Sequence, residues 1–227
     1  MTTQTPRTPT RPKRAARHTL STIRKLYDGP AGAFLSVTGV LTGHAALAGQ
    51  VIGPRGFDVR GCKRLLDAAC GNGRYSRHLL RHADRDASLT AFDLSLGMLR
   101  RARKNLETDR VGLVSADVTR LPFADGTFDA AVCGWVLEHF PDPRPALREL
   151  ARVMTPGGKM LLLTTEDTVL GDVCAFLWKV RTYERRELKS ACEESGLSWH
   201  RELWFSGLHR RLRMGGVVVE LVRQGSR

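Results

Sequence analysis

A glycine turn, Gly71-Asn72-Gly73, divides a short apolar run from a helical pattern. The run Leu65–Ala68 has the length and composition of a buried strand, and residues 75–82 repeat at helical spacing. Small residues let the backbone turn tightly and approach a ligand, and the start of a helix offers unpaired N–H groups. A tight turn without a ligand fits the same pattern, so the turn alone predicts a βα unit and leaves its function open.

The alternation of strand and helix continues along the chain. Apolar runs and segments at helical spacing follow each other at the intervals of βαβ units. The predicted strands are 88–92, 112–115, 128–132 and 159–163, with further apolar runs at 197–205 and 216–222, and the predicted helices are 96–106, 143–154 and 185–195. This order predicts an α/β fold, a Rossmann-like doubly wound sheet that is mostly parallel, with an antiparallel last strand and helices on both faces.

The excess of positive charge is concentrated near the N-terminus. Residues 1–26 hold seven of the 36 Lys and Arg residues and no acid, whereas the rest of the chain carries 29 basic and 23 acidic residues. Residues 1–20 also have no hydrophobic periodicity. We therefore predict a disordered basic tail over 1–20, an N-terminal helical cap over 21–56 and the main domain over 57–227.

Signals for targeting, membrane insertion and metal binding are weak. The uncharged stretch 31–53 is interrupted by five glycines, so no transmembrane span is expected, and the basic start lacks the apolar run of a secretory signal. We expect a cytoplasmic protein, with peripheral membrane contact and, in a eukaryotic source, organellar import as alternatives. The five cysteines form no CxxC pair and no His/Cys cluster, so no metal site is expected.

Three acidic residues end consecutive predicted strands around the glycine turn: Asp67, Asp93 and Asp117. Ligands of open α/β sheets bind outside the carboxyl ends of the strands, where a carboxylate after the second strand accepts hydrogen bonds from ribose hydroxyls. Asp117 could meet the exocyclic amine of a purine, and Asp67 a charged amino group. Each acid alone is more often a solvated strand end or a helix cap, but all three together favour a ligand site.

The sequence resembles the class I S-adenosylmethionine-dependent methyltransferases, in particular the group that contains the ubiquinone- and menaquinone-biosynthesis enzymes. The resemblance is dense over residues 60–165. It is carried by LLDAACGNG (65–73), FDLS (92–95) with Met98-Leu99, ADV (116–118), LPFADGTFD (121–129), VLEH (136–139), LRELARV (147–153) and PGG (156–158).

The resemblance implies S-adenosyl-L-methionine as cofactor and a role for several residues. Gly71 and Gly73 would shape the loop under the methionine moiety, Asp93 would bind the ribose and Asp117 the adenine amine. The remaining implied contacts are Leu94, Met98 and Val118 at the adenine, Cys133 through its backbone, and Asp67 and Ala69 in the loop. Ala69 departs from the glycine of many members. Tyr27-Asp28 is similar to the Tyr-Asp pair of the quinone-type members, whose N-terminal helices help to close over the cofactor.

The acceptor is less well indicated than the donor. Glu138 and His139 are weak candidates for a general base, and no catalytic residue is assigned beyond them. Four aromatic residues are candidates for the acceptor pocket: Tyr27, Trp135, Trp178 and Tyr183. Because the segments outside the common core are short and apolar, we expect a small-molecule or lipid-like acceptor.

Three other functions stay open or are disfavoured. The basic cluster 209–213, predicted in a loop between the last two strands, leaves an RNA or protein methyltransferase as an alternative, although no RNA-reading module accompanies it. A non-catalytic S-adenosylmethionine-binding protein would keep the same donor site. A nicotinamide oxidoreductase is disfavoured because Gly73 is followed by Arg-Tyr-Ser, without a third glycine. The oligomeric state is not indicated by the sequence.

Overall fold

The structure is a computed structural model that describes residues 24–25, 27–28, 49–168, 171–172, 175–176, 180–212 and 216–225. The tail predicted over residues 1–20 lies outside the described residues, as do most of the cap predicted over 21–56 and the pocket candidate Trp178. The division of the chain into tail, cap and domain therefore stays a prediction.

Seven strands form one sheet in the order β3-β2-β1-β4-β5-β7-β6. Strands β1 to β5 pair in parallel, and β7 is antiparallel to both of its neighbours, β5 and β6. The strand bounds are β1 Arg64–Ala68, β2 Ser88–Asp93, β3 Val111–Ser115, β4 Phe128–Gly134, β5 Met154–Thr164, β6 Leu197–Glu202 and β7 Val217–Arg223. The predicted fold class is confirmed, including the reversed last strand.

Helices cover both faces of the sheet. They are α1 Arg74–His82, α2 Leu96–Leu106, α3 Arg144–Val153, α4 Arg185–Glu194 and α5 Gly207–Leu212, with a short 3-10 helix at Leu137–His139. Leu79 of α1 and Leu99 of α2 belong to one hydrophobic cluster, whereas Leu147 of α3 and Leu188 of α4 belong to a second. The sheet lies between the two clusters because its buried strands present apolar side chains to both sides.

Two local features differ from the sequence-based expectations. The predicted strand at 159–163 begins earlier, at Met154, and the register shifts from Phe128↔Met154 to Ala130↔Lys159. A bulge therefore forms opposite Asp129, where the left-handed φ of 76° at Gly157 suits glycine. The basic cluster was expected in a loop, but its residues up to Leu212 form the helix α5.

Candidate active site

The first four strands bring the predicted site residues to one edge of the sheet. Strand β1 pairs with β2 on one side and β4 on the other, so the direction in which the sheet grows reverses there. A crevice opens at such a switch point, outside the carboxyl ends of the strands. Asp67, Asp93 and Asp117 lie within or just after the last positions of β1, β2 and β3, as the sequence predicts.

The loop from Ala69 to Gly73 has an unusual backbone. Ala69, Gly71 and Gly73 all adopt a left-handed φ, of 54°, 54° and 84°. A Cβ on Gly71 would have no atom within 4 Å, whereas a Cβ on Gly73 would approach Leu106 Cγ at 3.0 Å. Gly73 is thus needed for packing of α1 against α2, and Gly71 leaves open space at the mouth of the crevice.

The Asp93 carboxylate connects this loop to the end of β2. Its Oδ2 accepts a hydrogen bond from the Gly71 N–H at 2.9 Å, and its Oδ1 accepts one from the Ser95 N–H at 2.8 Å. Burial raises the pKa of Asp93, and these backbone hydrogen bonds lower it. Because a carboxylate can accept more than two hydrogen bonds, Asp93 keeps the capacity to bind a pair of ligand hydroxyls.

Asp67 lies beneath the loop and is completely buried. Its Oδ2 accepts a hydrogen bond from Ser76 Oγ at 2.5 Å, but its Oδ1 has no hydrogen-bond partner among the described residues. Burial raises the pKa of Asp67 to about 7. A buried carboxylate oxygen without a partner is costly. Asp67 therefore marks a point where a bound cation would be favoured.

The remaining predicted donor-site residues surround the same crevice. Asp117 Oδ1 accepts a hydrogen bond from the Thr119 N–H at 2.9 Å, and the Asp117 side chain is half-buried. Met98 and Val118 are almost fully buried, whereas Leu94 is half-buried. Cys133, opposite Ala68 near the end of β4, has no exposed surface in this structure, and its predicted backbone contact with the cofactor stays a prediction.

The N-terminal segment reaches this crevice through Tyr27 and Asp28. The Asp28 carboxylate accepts hydrogen bonds from Ser95 Oγ at 2.6 Å and from the Gly97 N–H at 3.0 Å, at the start of α2. Tyr27 Oη forms a hydrogen bond of 3.1 Å with His139 Nε2, and the two rings pack edge to face. The segment thus spans from the end of β2 to the 3-10 helix after β4.

Glu138 is buried next to His139 in the 3-10 helix and is held by two threonines. Its Oε2 accepts a hydrogen bond from Thr164 Oγ1 at 2.9 Å, and its Oε1 accepts one from Thr165 Oγ1 at 3.1 Å. Burial raises the pKa of Glu138 to about 7, against the opposing effect of the threonine hydroxyls. Both carboxylate oxygens are therefore engaged at the end of β5, in a position suited to supporting the 3-10 helix.

The structure gives the contacts of two further aromatic candidates for the acceptor pocket, Trp135 and Tyr183. Trp135 is half-buried with a left-handed φ of 60°, and its indole N–H donates to Tyr75 Oη at 2.9 Å. Tyr183 has no exposed surface, its hydroxyl donates to the Leu137 carbonyl at 2.8 Å, and the Arg181 guanidinium stacks on its ring. Tyr183 is thus packed in the core of this structure, and its role as an acceptor contact stays a prediction.

Three supporting residues were missed by the sequence reasoning: Ser76, Thr164 and Thr165. Ser76 lies in α1, Thr164 ends β5 and Thr165 follows it. None of the three belongs to a recognisable sequence motif, yet each is buried and donates a hydrogen bond to a carboxylate. A polar residue at an inward position of α1 was the only available signal for Ser76. Among the described residues, no group of three or more His, Cys, Asp and Glu side chains could hold a metal ion.

Comparison with known proteins agrees with this geometry. A family model described as a methyltransferase domain matches residues 66–162, which contain the glycine loop, all three strand-end acids and the Glu138-His139 pair. The chain carries a class I S-adenosylmethionine-dependent methyltransferase domain. The resemblance seen in the sequence is thereby confirmed for the part of the chain that forms the crevice.

Curated relatives of this methyltransferase domain include enzymes named demethylmenaquinone methyltransferase. The one from Paenarthrobacter aurescens (strain TC1) is 36% identical over 106 residues, which cover 47% of this chain and 40% of the relative. The one from Corynebacterium kroppenstedtii is 33% identical over 138 residues, or 61% of this chain and 57% of the relative. The chain thus spans about two fifths to three fifths of the length of these relatives.

Solved structures of methyltransferases share the fold at low sequence identity. Magnesium protoporphyrin IX methyltransferase from Synechocystis PCC 6803 with bound S-adenosylmethionine superimposes with a TM-score of 0.67 at 16% identity, covering 90% of this chain and 97% of that one. The putative methyltransferase in complex with the Trm112 activator of Haloferax volcanii gives a TM-score of 0.71 at 19% identity, covering 90% and 98%.

S-adenosylmethionine is the cofactor of this domain family, and the crevice fits it. The unpaired Asp67 Oδ1 suits the molecule's positive charge, and the open space at Gly71 lets the backbone approach it. The Asp93 carboxylate suits the ribose hydroxyls. The assignment of each residue to one part of the cofactor stays a prediction.

Proposed function

We propose that the protein transfers the methyl group of S-adenosylmethionine to a small or lipid-like acceptor. The donor half of this proposal is carried by one observation: Asp67 Oδ1 is buried without a hydrogen-bond partner in the part of the chain that the structure describes, just before the open glycine loop. The acceptor half is supported by the relatives named for demethylmenaquinone and by the fold neighbour named for a porphyrin.

Catalysis would depend on alignment more than on strong acid–base chemistry. When bound, S-adenosylmethionine supplies a methyl group already activated by the adjacent sulfonium. The protein's task is to orient the acceptor in line with that methyl group and to exclude water. The Tyr27–His139 contact joins the N-terminal segment to the 3-10 helix after β4, so it would contribute to both tasks by closing one side of the crevice.

A general base is needed only where the acceptor is poorly ionised. We propose His139 for that role in preference to Glu138, since His139 contacts Tyr27 of the N-terminal segment, whereas Glu138 is directed to Thr164 and Thr165 at the end of β5. Both residues are almost fully buried, and Tyr27 is the neighbour that orients the His139 ring. Glu138 would support the position of His139.

The test is methyl transfer from labelled S-adenosylmethionine into a cell extract, followed by separation of lipids, small metabolites, RNA and protein. We expect label in the lipid or small-molecule fraction. Asp93→Ala should lower incorporation by about 10- to 100-fold at limiting donor, whereas Asp109→Ala, which removes an exposed aspartate next to β3, should leave it unchanged. Label in RNA or protein would contradict the proposal and show that the acceptor is a macromolecule. Donor binding without any labelled product would instead make the protein a non-catalytic binder.

A further inference from the structure

The large exposed hydrophobic side chains of the described residues share one edge of the sheet. They are Leu96, Phe176 and Leu208, with exposed fractions of 40%, 66% and 63%. Leu96 begins α2 directly after β2, Phe176 lies in the connection that leaves β5, and Leu208 lies in α5 after β6. Because β6 runs in the same direction as β1 to β5, all three follow the carboxyl end of a strand, at the edge that holds the crevice.

These side chains are spread across the edge. In the sheet order, β2, β5 and β6 occupy the second, fifth and seventh positions. With about 4.8 Å between neighbouring strands, β2 and β6 lie on the order of 24 Å apart. Isolated exposed apolar residues need no explanation. Their restriction to the edge through which an acceptor must enter suggests a common function.

Positive charge accompanies the apolar residues at one end of this edge. Arg210 and Arg211 are exposed on α5, next to Leu208, and neither forms an ion pair among the described residues. The connection after β5 carries the exposed acids Asp167 and Asp172. The positive charge that would attract an anionic surface therefore lies on α5. Phe176, in the middle of the edge, would contribute apolar contact alone.

We infer that this carboxyl edge docks on an anionic phospholipid bilayer, so that a lipid-like acceptor enters the crevice from the membrane. The inference rests on the proposed function. Leucine and phenylalanine tips enter the headgroup region, and arginines pair with the anionic headgroups, as in other proteins that lie on a membrane surface. Within the part of the chain that the structure describes, no helix combines the length and hydropathy needed to span a bilayer.

The test is cosedimentation of the full chain with phosphatidylcholine vesicles, with and without phosphatidylglycerol. Wild type should bind the anionic vesicles more tightly than the neutral ones. Replacing both Arg210 and Arg211 by Ala should weaken that binding by about 30-fold, because each arginine near an anionic surface strengthens binding by roughly fivefold. Leu208→Ser should weaken it by about 10-fold, since part of a leucine side chain is withdrawn from the lipid.

The matched control removes two arginines at the opposite edge. Arg64, which begins β1, and Arg85, which precedes β2, are exposed and form no ion pair among the described residues. The Arg64→Ala/Arg85→Ala variant should change vesicle affinity by less than about twofold, because these charges would face away from the surface. An equal loss in the control, or equal binding of wild type to both kinds of vesicle, would overturn the inference.

Turnover measurements separate this inference from the proposed function. With a water-soluble short-chain quinol, the α5 variants should retain wild-type turnover, whereas with a long-chain quinol in anionic vesicles they should be slower by the same factor as their binding. If wild type methylates neither quinol but still binds the vesicles, the proposed function fails and the docking surface stands. If an RNA oligonucleotide binds more tightly than the anionic vesicles and the α5 variants abolish that binding, the surface belongs to nucleic acid.

Discussion

Replacing Glu138 by Gln should change how the stability of the protein depends on pH. In the folded state Glu138 is buried, and its pKa is raised from 4.5 to about 7. A carboxyl with a raised folded pKa binds its proton more tightly in the folded than in the unfolded state. Folding stability is therefore highest below the unfolded pKa and is lost as the pH rises through the folded pKa.

The expected magnitude follows from these two pKa values. Between about pH 5 and about pH 8, ionisation of Glu138 should cost wild type about 2.5 kcal/mol of unfolding free energy. Gln cannot ionise, yet its amide can still form hydrogen bonds with the hydroxyls of Thr164 and Thr165. The stability of Glu138→Gln relative to wild type should therefore rise by about 2.5 kcal/mol over that interval.

Urea unfolding at a series of pH values measures this difference directly. The matched control is Glu149→Gln, because the Arg152 guanidinium lowers the pKa of Glu149 and so predicts the opposite sign. That variant should lose stability at neutral pH and recover part of it in acid. If the difference between Glu138→Gln and wild type does not vary with pH, Glu138 does not titrate as a buried carboxyl and the reasoning is refuted.

Three further substitutions test the neighbourhood of the crevice. Ala69→Gly should stabilise the protein by about 0.5–1 kcal/mol in thermal unfolding, since alanine is strained at a φ of 54°; a loss would show that the methyl group packs. Ser76→Ala should destabilise it by about 1–3 kcal/mol in urea unfolding, because the buried Asp67 carboxylate loses the hydrogen bond from Ser76 Oγ; unchanged stability would contradict that contact. Tyr27→Phe should weaken donor binding about 3- to 10-fold in calorimetry and lower the free energy of unfolding by about 1 kcal/mol, through loss of the hydrogen bond to His139; unchanged affinity would place Tyr27 outside the donor site.

The parts predicted well from sequence are those encoded by neighbouring residues. The glycine turn and the strand-end acids Asp67, Asp93 and Asp117 can each be recognised within a few positions of an apolar run. The order of strands and helices then brings them to the same edge, because parallel strands of a doubly wound sheet share their carboxyl ends. The sequence therefore predicts the fold class, the parallel direction of the first strands and the antiparallel last strand correctly.

The parts that sequence could not give depend on distant contacts. The core position of Tyr183 depends on the Leu137 carbonyl, 46 residues earlier, which accepts a hydrogen bond from its hydroxyl. The partners of Glu138 are two threonines at the end of β5, 26 and 27 residues later in the chain. The bulge before Lys159 is visible only in the register of β5 with β4. Helical spacing is equally uninformative over the six residues of α5.

Calorimetric titration with S-adenosylmethionine, and in parallel with NAD, tests the central claim most directly. We predict one binding site for S-adenosylmethionine, no detectable binding of NAD, and an affinity for S-adenosylmethionine lowered about 10- to 100-fold in Asp93→Ala. That loss corresponds to leaving the ribose hydroxyls without their acceptor. Absence of S-adenosylmethionine binding by wild type, or an unchanged affinity in Asp93→Ala, would contradict the account.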